Sequence, residues 1–292
     1  MKSISNHLYL FLFLILPFTS FAINASGIAE LKKRKLVVCI KSENKSFLDS
    51  IKNDTALVGR YKRSIQSYNE NFKRTVQKHW SYHKSFECKT KEEVDKIKFS
   101  ADDYRKYVVL DIMIIEVLTV DQFGKHGTGE RRAYLYLGFA EAQDRKWIAY
   151  ARLGQVYADA QDFIYGIQNI NYNLIGEENG KSEMKLLKES AHRLKGKIIL
   201  IDSSQIEANV IAMQGIAQLP VEVKVVSKNE VRKAIINGDS KYAYILLINH
   251  GSGVWTKRAI LCEDSYWVGY APSEGFTKLN FPDLKRITKG AK

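Results

Sequence analysis

The sequence predicts an α/β protein with two related halves, each a mainly parallel or mixed sheet with packed helices, joined by a helical segment. Short apolar runs rich in β-branched residues alternate with helical stretches, which is the pattern of βαβ units. Several of these segments recur in the same order in both halves of the chain. The 292 residues are also more than one core usually holds, and suit two domains of ~130 residues.

The recurrence covers strands, helices and one glycine-rich turn. The matching segments are, first half against second, 35–40 and 197–202, 86–89 and 221–224, 91–97 and 228–235, 106–112 and 241–248, and 126–129 and 250–253. The spacing differs because the first half also has a long helical stretch at 57–80 and an extended strand or hairpin at 112–122. Each half is therefore predicted as strand, helix, strand, helix, strand and then an antiparallel addition.

The domain boundaries follow from this repeat. We predict a signal peptide at 1–22, a first α/β domain at 31–154, a helical connector at 155–196 and a second α/β domain, the repeat of the first, at 197–292. The connector carries a stripe of apolar residues near helical spacing, namely Phe163, Ile164, Ile167, Ile170 and Leu174. Such a stripe predicts a helix that packs on one of the sheets.

The N-terminal residues have the pattern of a secretory signal. Lys2 precedes an apolar run at 8–16. The small residues Ser20 and Ala22 precede a candidate cleavage site, and Ala25 marks a second one. An uncleaved membrane anchor is the alternative, but the run is shorter than the ~20 residues that span a bilayer. We therefore expect an exported protein, periplasmic or extracellular after cleavage, with no transmembrane span in the mature chain.

The chain is strongly basic, with a formal charge of +13. Outside the cytoplasm, such a charge attracts an anionic partner, either an envelope protein or an anionic glycan or lipid. The alternative is that the lysines are dispersed over a solvated surface, which their spread along the whole chain favours. No recognition motif accompanies the charge, which argues against nucleic acid as a partner.

The three cysteines allow at most one disulfide, and Cys39–Cys88 is the only pair that the predicted strand neighbours permit. In the matched segments Cys39 aligns with Ile201 and Cys88 with Val223. Both partners are apolar strand positions. We therefore expect the cysteines to be small core residues and not nucleophiles.

The duplicated His-Gly-(Thr/Ser)-Gly turn is the main candidate for chemistry. Weak catalytic candidates are His126, His250 and Ser252, since a histidine beside a hydroxyl can act as a base and a nucleophile. The candidate ligand-binding residues are Gly251, Ser252, Gly253, Arg258 and Arg132, through backbone amides that cradle an anion and arginines that add charge. The alternative is an ordinary hairpin, in which the glycines supply positive φ angles.

Metal and cofactor signatures do not occur in the sequence. It has no Cys-x-x-Cys, no His-Glu-x-x-His, no phosphate loop and no dinucleotide fingerprint, so we predict neither metal nor cofactor. His79 and His83 have helical spacing but no acidic third ligand nearby, which favours surface histidines. Asp202 follows a predicted parallel strand and is expected to cap the next helical turn.

Three functional hypotheses fit these observations. The first is an exported, non-enzymatic envelope protein that binds a partner or ligand through its duplicated α/β domains. The second is a hydrolase that uses His126 or His250 with a nearby hydroxyl. The third is an anion- or glycolipid-binding module at the glycine-rich turns. The missing catalytic motifs favour the first.

Overall fold

The structure is a computed structural model that describes residues 25–100, 102–117, 130–140, 147–155, 157–211, 214–251, 254–274 and 277–291. It contains two five-stranded mixed sheets, each packed with helices, which confirms the predicted fold class of two α/β halves. The predicted signal peptide at 1–22 and the turn at 126–129 lie outside the described residues.

The first half runs from α1 to β5. Its elements are α1 (Ala25–Lys33), β1 (Lys35–Ile40), α2 (Lys45–Ile51), α3 (Thr55–His79), β2 (Phe86–Thr90), α4 (Lys91–Phe99), β3 (Tyr107–Val117), β4 (Glu130–Phe139) and β5 (Trp147–Arg152). The connector consists of α5 (Ala160–Glu178), α6 (Glu183–Ser190) and the 3-10 turn Ala191–Leu194. The long helix predicted at 57–80 is α3.

The second half runs from β6 to the last described residues. Its elements are β6 (Ile198–Asp202), α7 (Ala208–Ile211), β7 (Glu222–Val226), α8 (Lys228–Asn237), β8 (Tyr242–Gly251), β9 (Val254–Leu261), β10 (Trp267–Glu274) and α9 (Phe281–Thr288). Short 3-10 turns occupy Ser203–Gln205, Gln214–Gln218 and Lys289–Ala291.

The two sheets have the same strand order and the same strand directions. The orders are β2-β1-β3-β4-β5 and β7-β6-β8-β9-β10. The first three strands of each half are parallel, and the fourth runs opposite to the other four. Parallel neighbours need crossover connections, which α3, α4 and α8 provide, whereas the antiparallel strands follow one another directly along the sheet.

Backbone hydrogen bonds establish which residues of the two halves correspond. The amide of Lys35 donates to Lys106 O at 2.8 Å, and the amide of Ile198 donates to Lys241 O at 3.0 Å. Lys35 therefore corresponds to Ile198. The helices α4 and α8 begin with equivalent capping boxes, at Thr90 and at Ser227 respectively.

The fifth strands correspond as closely as the first three. Each pairs with its neighbour through one register shift, next to Trp147 in β5 and next to Trp267 in β10. A bulge at the same place in both strands makes Trp147 the counterpart of Trp267, and the β3–β4 and β8–β9 registers make Tyr136 the counterpart of Arg258.

This register corrects part of the sequence alignment. The matches of α4 with α8 and of β3 with β8 agree with the structure, but Cys39 corresponds to Asp202 and not to Ile201. Cys88 likewise corresponds to Val225 and not to Val223. A slip of one residue is hard to detect in β6 because all five of its residues are buried, so no apolar–polar alternation marks its faces.

The cysteines are free thiols, and the pair Cys39–Cys88 is not bridged. The strands β1 and β2 are neighbours, as the disulfide hypothesis required, but Cys88 lies opposite Val38 and Cys39 lies opposite Lys89. Because successive strand residues point to opposite faces, the two sulfur atoms are on different sides of the sheet.

Helix α5 lies between the two halves and joins their cores. Phe163, Ile167 and Ile170 of the predicted stripe are buried, but in one apolar cluster with residues of both sheets and not of one sheet alone. Gly166 permits this close packing, since a Cβ atom there would lie 2.8 Å from Leu135 Cδ2.

Among the described residues, no helix combines the length and the apolar character that a membrane span requires.

Candidate functional site

A crevice of about 730 Å³ opens in the first half at the carboxyl ends of β1 and β3. The chain leaves β1 toward β2 on one side and then crosses to β3 on the other side. Such a point, where the strand connections diverge, leaves a gap above the sheet, and α/β proteins commonly bind ligands there. The crevice is therefore the place in the described fold where a ligand site is expected.

A buried carboxylate forms the floor of this crevice. Asp111 lies in β3, and its Oδ2 accepts a hydrogen bond from the Tyr136 hydroxyl at 3.1 Å. Lys91 Nζ is 3.5 Å from the same oxygen and 3.6 Å from Asp95 Oδ1. Lys91 begins α4 directly after β2, and its side chain reaches past β1, the strand between β2 and β3, to Asp111, which follows it by twenty residues in the sequence. The floor is thus a paired, hydrogen-bonded cluster.

The neighbouring Cys39 is not an activated nucleophile. Burial, and then the charge of Asp111, raise the pKa of its thiol well above the ordinary value. The thiol is therefore protonated at neutral pH, whereas a nucleophilic cysteine needs the thiolate.

Three lysines give the crevice its positive charge. Partial burial would lower the pKa of Lys91, but Asp111 and Asp95 raise it above the ordinary lysine value. The pKa of Lys98 is lowered by burial and by the charge of Lys91. Among the described residues, Lys41, Lys91 and Lys98 line the crevice with the carboxylates of Asp95 and Asp111, so lysines are in excess.

Lys41 is the lysine of this set that has no carboxylate partner among the described residues. Its Nζ lies 3.6 Å from the centre of the Tyr68 ring, and burial lowers its pKa. The Asn69 side chain fixes its backbone by accepting from the Lys41 amide and donating to the Lys41 carbonyl, both at 2.9 Å. The lysine is thus held at the end of β1 with its charge available to an anion.

Aromatic and apolar side chains form the rim. Phe99 is 81% exposed and Ile114 is 41% exposed. Trp147 stacks on Tyr136 with ring centres 5.8 Å apart. A ligand in the crevice would therefore contact both charge and apolar surface.

The second half has an equivalent crevice, but the chain itself fills it. The start of α5 and the residues before it lie there: Lys228, the counterpart of Lys91, donates to Gln155 Oε1 at 3.4 Å. Arg232 Nη1 lies 3.9 Å from Asp159 Oδ2. A Cβ atom on Gly154 would lie 3.3 Å from the side chain of Leu246, the counterpart of Asp111.

The segment that fills the second crevice also buries the aromatic side chain at its rim. Trp267, the counterpart of Trp147, is only 3% exposed, and the Arg258 guanidinium lies 3.2 Å from its ring centre. Helix α5 covers this side of the second sheet. The described part of the chain provides no corresponding helix over Asp111 and Tyr136 in the first sheet.

The helix caps of the two halves carry equivalent buried aspartates with different partners. Asp162 in α5 and Asp283 in α9 are each the third residue of a capping box. Asp283 forms a buried ion pair with Lys257, whereas Leu135 occupies the position equivalent to Lys257 in the first half. Burial consequently raises the pKa of Asp162 to about 7.

The glycine turns singled out in the sequence lie largely outside the described residues. His126, Ser252 and Gly253 are outside them, and so is the side chain of His250. Gly251 ends β8. Arg132 is in β4 and Arg258 is in β9, so the two arginines belong to different sheets, and Arg258 packs on Trp267 inside the protein. Catalysis or anion binding at these turns stays a prediction.

The histidine pair has structural hydrogen bonds. Trp80 Nε1 donates to His83 Nδ1 at 3.0 Å, and Gln168 Nε2 lies 3.1 Å from His79 Nδ1. Within the described ranges, no group of three histidine, cysteine or acidic side chains is placed to hold a metal ion. Asp202 accepts from the Ser204 amide at 2.9 Å, which is the expected cap.

The crevice was not predicted from the sequence, although the sequence contains two signals for it. Asp111 interrupts an apolar strand, and Lys41 follows the carboxyl end of a parallel strand. A charged residue within a buried strand requires a partner, and this requirement could have directed attention to Lys91. Comparisons with protein-family models, curated proteins and solved structures gave no match.

Proposed function

We propose that this chain is an exported, non-enzymatic binding protein that holds an anionic ligand in the crevice of its first half. One observation carries the proposal. The second crevice is filled by the chain's own acidic segment, with Asp159 beside Arg232, while the equivalent first crevice is open and lined by lysines.

The charge balance supports an anion as the ligand. A ligand carboxylate or phosphate near Lys41 and Lys98 would replace water around partly buried ammonium groups, and such charge-assisted hydrogen bonds are among the stronger polar contacts. The exposed rim residues Phe99 and Ile114 would lose contact with water at the same time.

The chemistry of the floor supports binding over catalysis. Asp111 is engaged by both Lys91 and Tyr136, so its carboxylate is not free to act as a general base. The Cys39 thiol is protonated. These groups hold the crevice in shape and keep a fixed pattern of charge below a ligand.

Export is the part of the proposal that the N-terminal sequence supports, through Lys2 and the apolar run at 8–16. Cell fractionation with an epitope at the C-terminus tests it. We expect the processed chain in the envelope or the medium, and a full-length cytoplasmic chain would contradict this part.

Titration of the purified chain with short polyglutamate tests the binding site. We expect a change in tryptophan fluorescence that is lost in Trp147→Phe, and an affinity that falls about ten-fold in Lys41→Gln/Lys98→Gln. The matched control is Lys188→Gln, because Lys188 is exposed on α6 and does not line the crevice. Equal affinity in all variants, or no binding, would overturn the proposal.

A further inference from the structure

The segment in the second crevice has a distinctive chemistry. It is the start of a helix, and its cap Asp159 accepts hydrogen bonds from the amides of Gln161 and Asp162 through Oδ1. Its other carboxylate oxygen, Oδ2, lies toward Arg232 of α8. One aspartate thus caps its own helix and contacts the basic wall of the crevice.

The first crevice has the same framework and a different arrangement of charged side chains. Lys91 and Trp147 match Lys228 and Trp267 of the second crevice. Lys41 and Lys98 stand where the second half has Ser204 and Ile235. Asp95 and Asp111 replace Arg232 and Leu246, so the cations of the first crevice are Lys41 at the end of β1 and Lys91 and Lys98 on α4.

From this correspondence we infer that the ligand of the first crevice is an acidic segment of a partner protein that enters as the beginning of a helix. The inference rests on the proposed function and specifies its ligand. The partner segment carries aspartates in its first helical turn, where they complement both the free backbone amides of that turn and the lysines of the crevice.

A second copy of this chain is a poor occupant. The helix equivalent to α5 is α9, which follows β10 as α5 follows β5. The exposed residues of α9 and the turn after it include Lys285, Arg286 and Lys289. A head-to-tail assembly would bring the start of α9 to the crevice, but the acid of its first turn, Asp283, is already buried against Lys257 and is not available to the crevice lysines.

Two isomeric synthetic peptides test the inference. Both form one helix and have the same composition, but one carries its two aspartates in the first turn and the other carries them in the last turn. We expect the first-turn peptide to bind the full chain at least ten-fold more tightly, by isothermal calorimetry. Its advantage should vanish in Lys41→Gln/Lys98→Gln and persist in Lys188→Gln.

The outcomes separate the inference from the proposed function. Equal binding of both peptides, or tighter binding of inorganic phosphate than of either peptide, would overturn the helix-start inference while anion binding in the crevice remained. Binding of neither peptide, phosphate nor polyglutamate would overturn both. A concentration-dependent dimer that the first-turn peptide dissociates would identify a second copy as the occupant and would also overturn the inference.

Discussion

At the scale of single residues, two equivalent buried carboxylates, one in each half, have different surroundings. Asp283 has Lys257 beside it, and both side chains are almost completely removed from water. Within the described residues Asp162 forms no equivalent ion pair, because Leu135 occupies the position that corresponds to Lys257. The same capping position therefore holds an ion pair in one half and a carboxyl of raised pKa in the other.

The variant Asp162→Asn should gain stability relative to the natural chain as the pH rises from 5 to 7. Between the ordinary value of 3.8 and about 7, folded Asp162 keeps a proton that the unfolded chain releases. The natural chain therefore loses stability with rising pH through this window, by roughly 1–3 kcal/mol between pH 5 and pH 7, and levels off above it. Urea unfolding at several pH values measures the difference, and a difference independent of pH would contradict the assignment.

The variant Lys257→Met should destabilise the second half by about 3–5 kcal/mol, because it leaves the buried carboxylate of Asp283 without its cation. The double variant Lys257→Met/Asp283→Asn should recover much of this loss. The control is Lys224→Met, which breaks an exposed pair with Glu222 and should cost about 1 kcal/mol or less. Chemical denaturation measures all three, and equal losses for Lys257 and Lys224 would be inconsistent with a buried pair.

At the scale of elements, α5 determines how the two sheets meet. Its buried face contacts the first sheet through Gly166, and its N-terminal end fills the crevice of the second half. The helix thus belongs to both cores, which makes the boundary predicted near residue 155 a junction within a continuous apolar cluster.

The variant Gly166→Ala should destabilise the protein by about 1–3 kcal/mol, because the added methyl group would overlap Leu135 and Leu153 in a close-packed core. Gly59→Ala in α3 is the matched control. The added Cβ atom would lie 3.4 Å from the Arg63 side chain, its nearest neighbour, and would not clash. The gain in helix propensity should therefore stabilise the protein by about 0.5–1 kcal/mol. Thermal unfolding compares the two, and a stabilised Gly166→Ala would contradict the close packing.

Local sequence signals were sufficient for the elements and insufficient for their register. Ser227 and Glu230, with Thr90 and Glu93, mark helix starts by a spacing that needs no tertiary information. The alignment of β1 with β6 slipped because a fully buried strand has no polar face to mark its register. The crevice depends on the order of strands in the sheet, which places Lys91 beside Asp111 and which no local pattern encodes.

At the scale of the whole molecule, the repeat makes two equivalent crevices with different contents. The chain supplies an acidic helix start to the second crevice, and no described segment fills the first, whose wall carries Lys41 and Lys98. The proposed binding function follows from this asymmetry. A molecule of this kind could recognise in a partner the same structure that it already uses to join its own halves.

Hydrogen–deuterium exchange of the full chain, with and without the first-turn peptide, tests the central claim most directly. We expect the peptide to slow amide exchange at 40–42, 91–99 and 111–114, and to leave the second crevice at 228–236 unchanged. Slower exchange at 228–236, or no change at either crevice under conditions where calorimetry detects binding, would contradict the claim that the first crevice is the binding site.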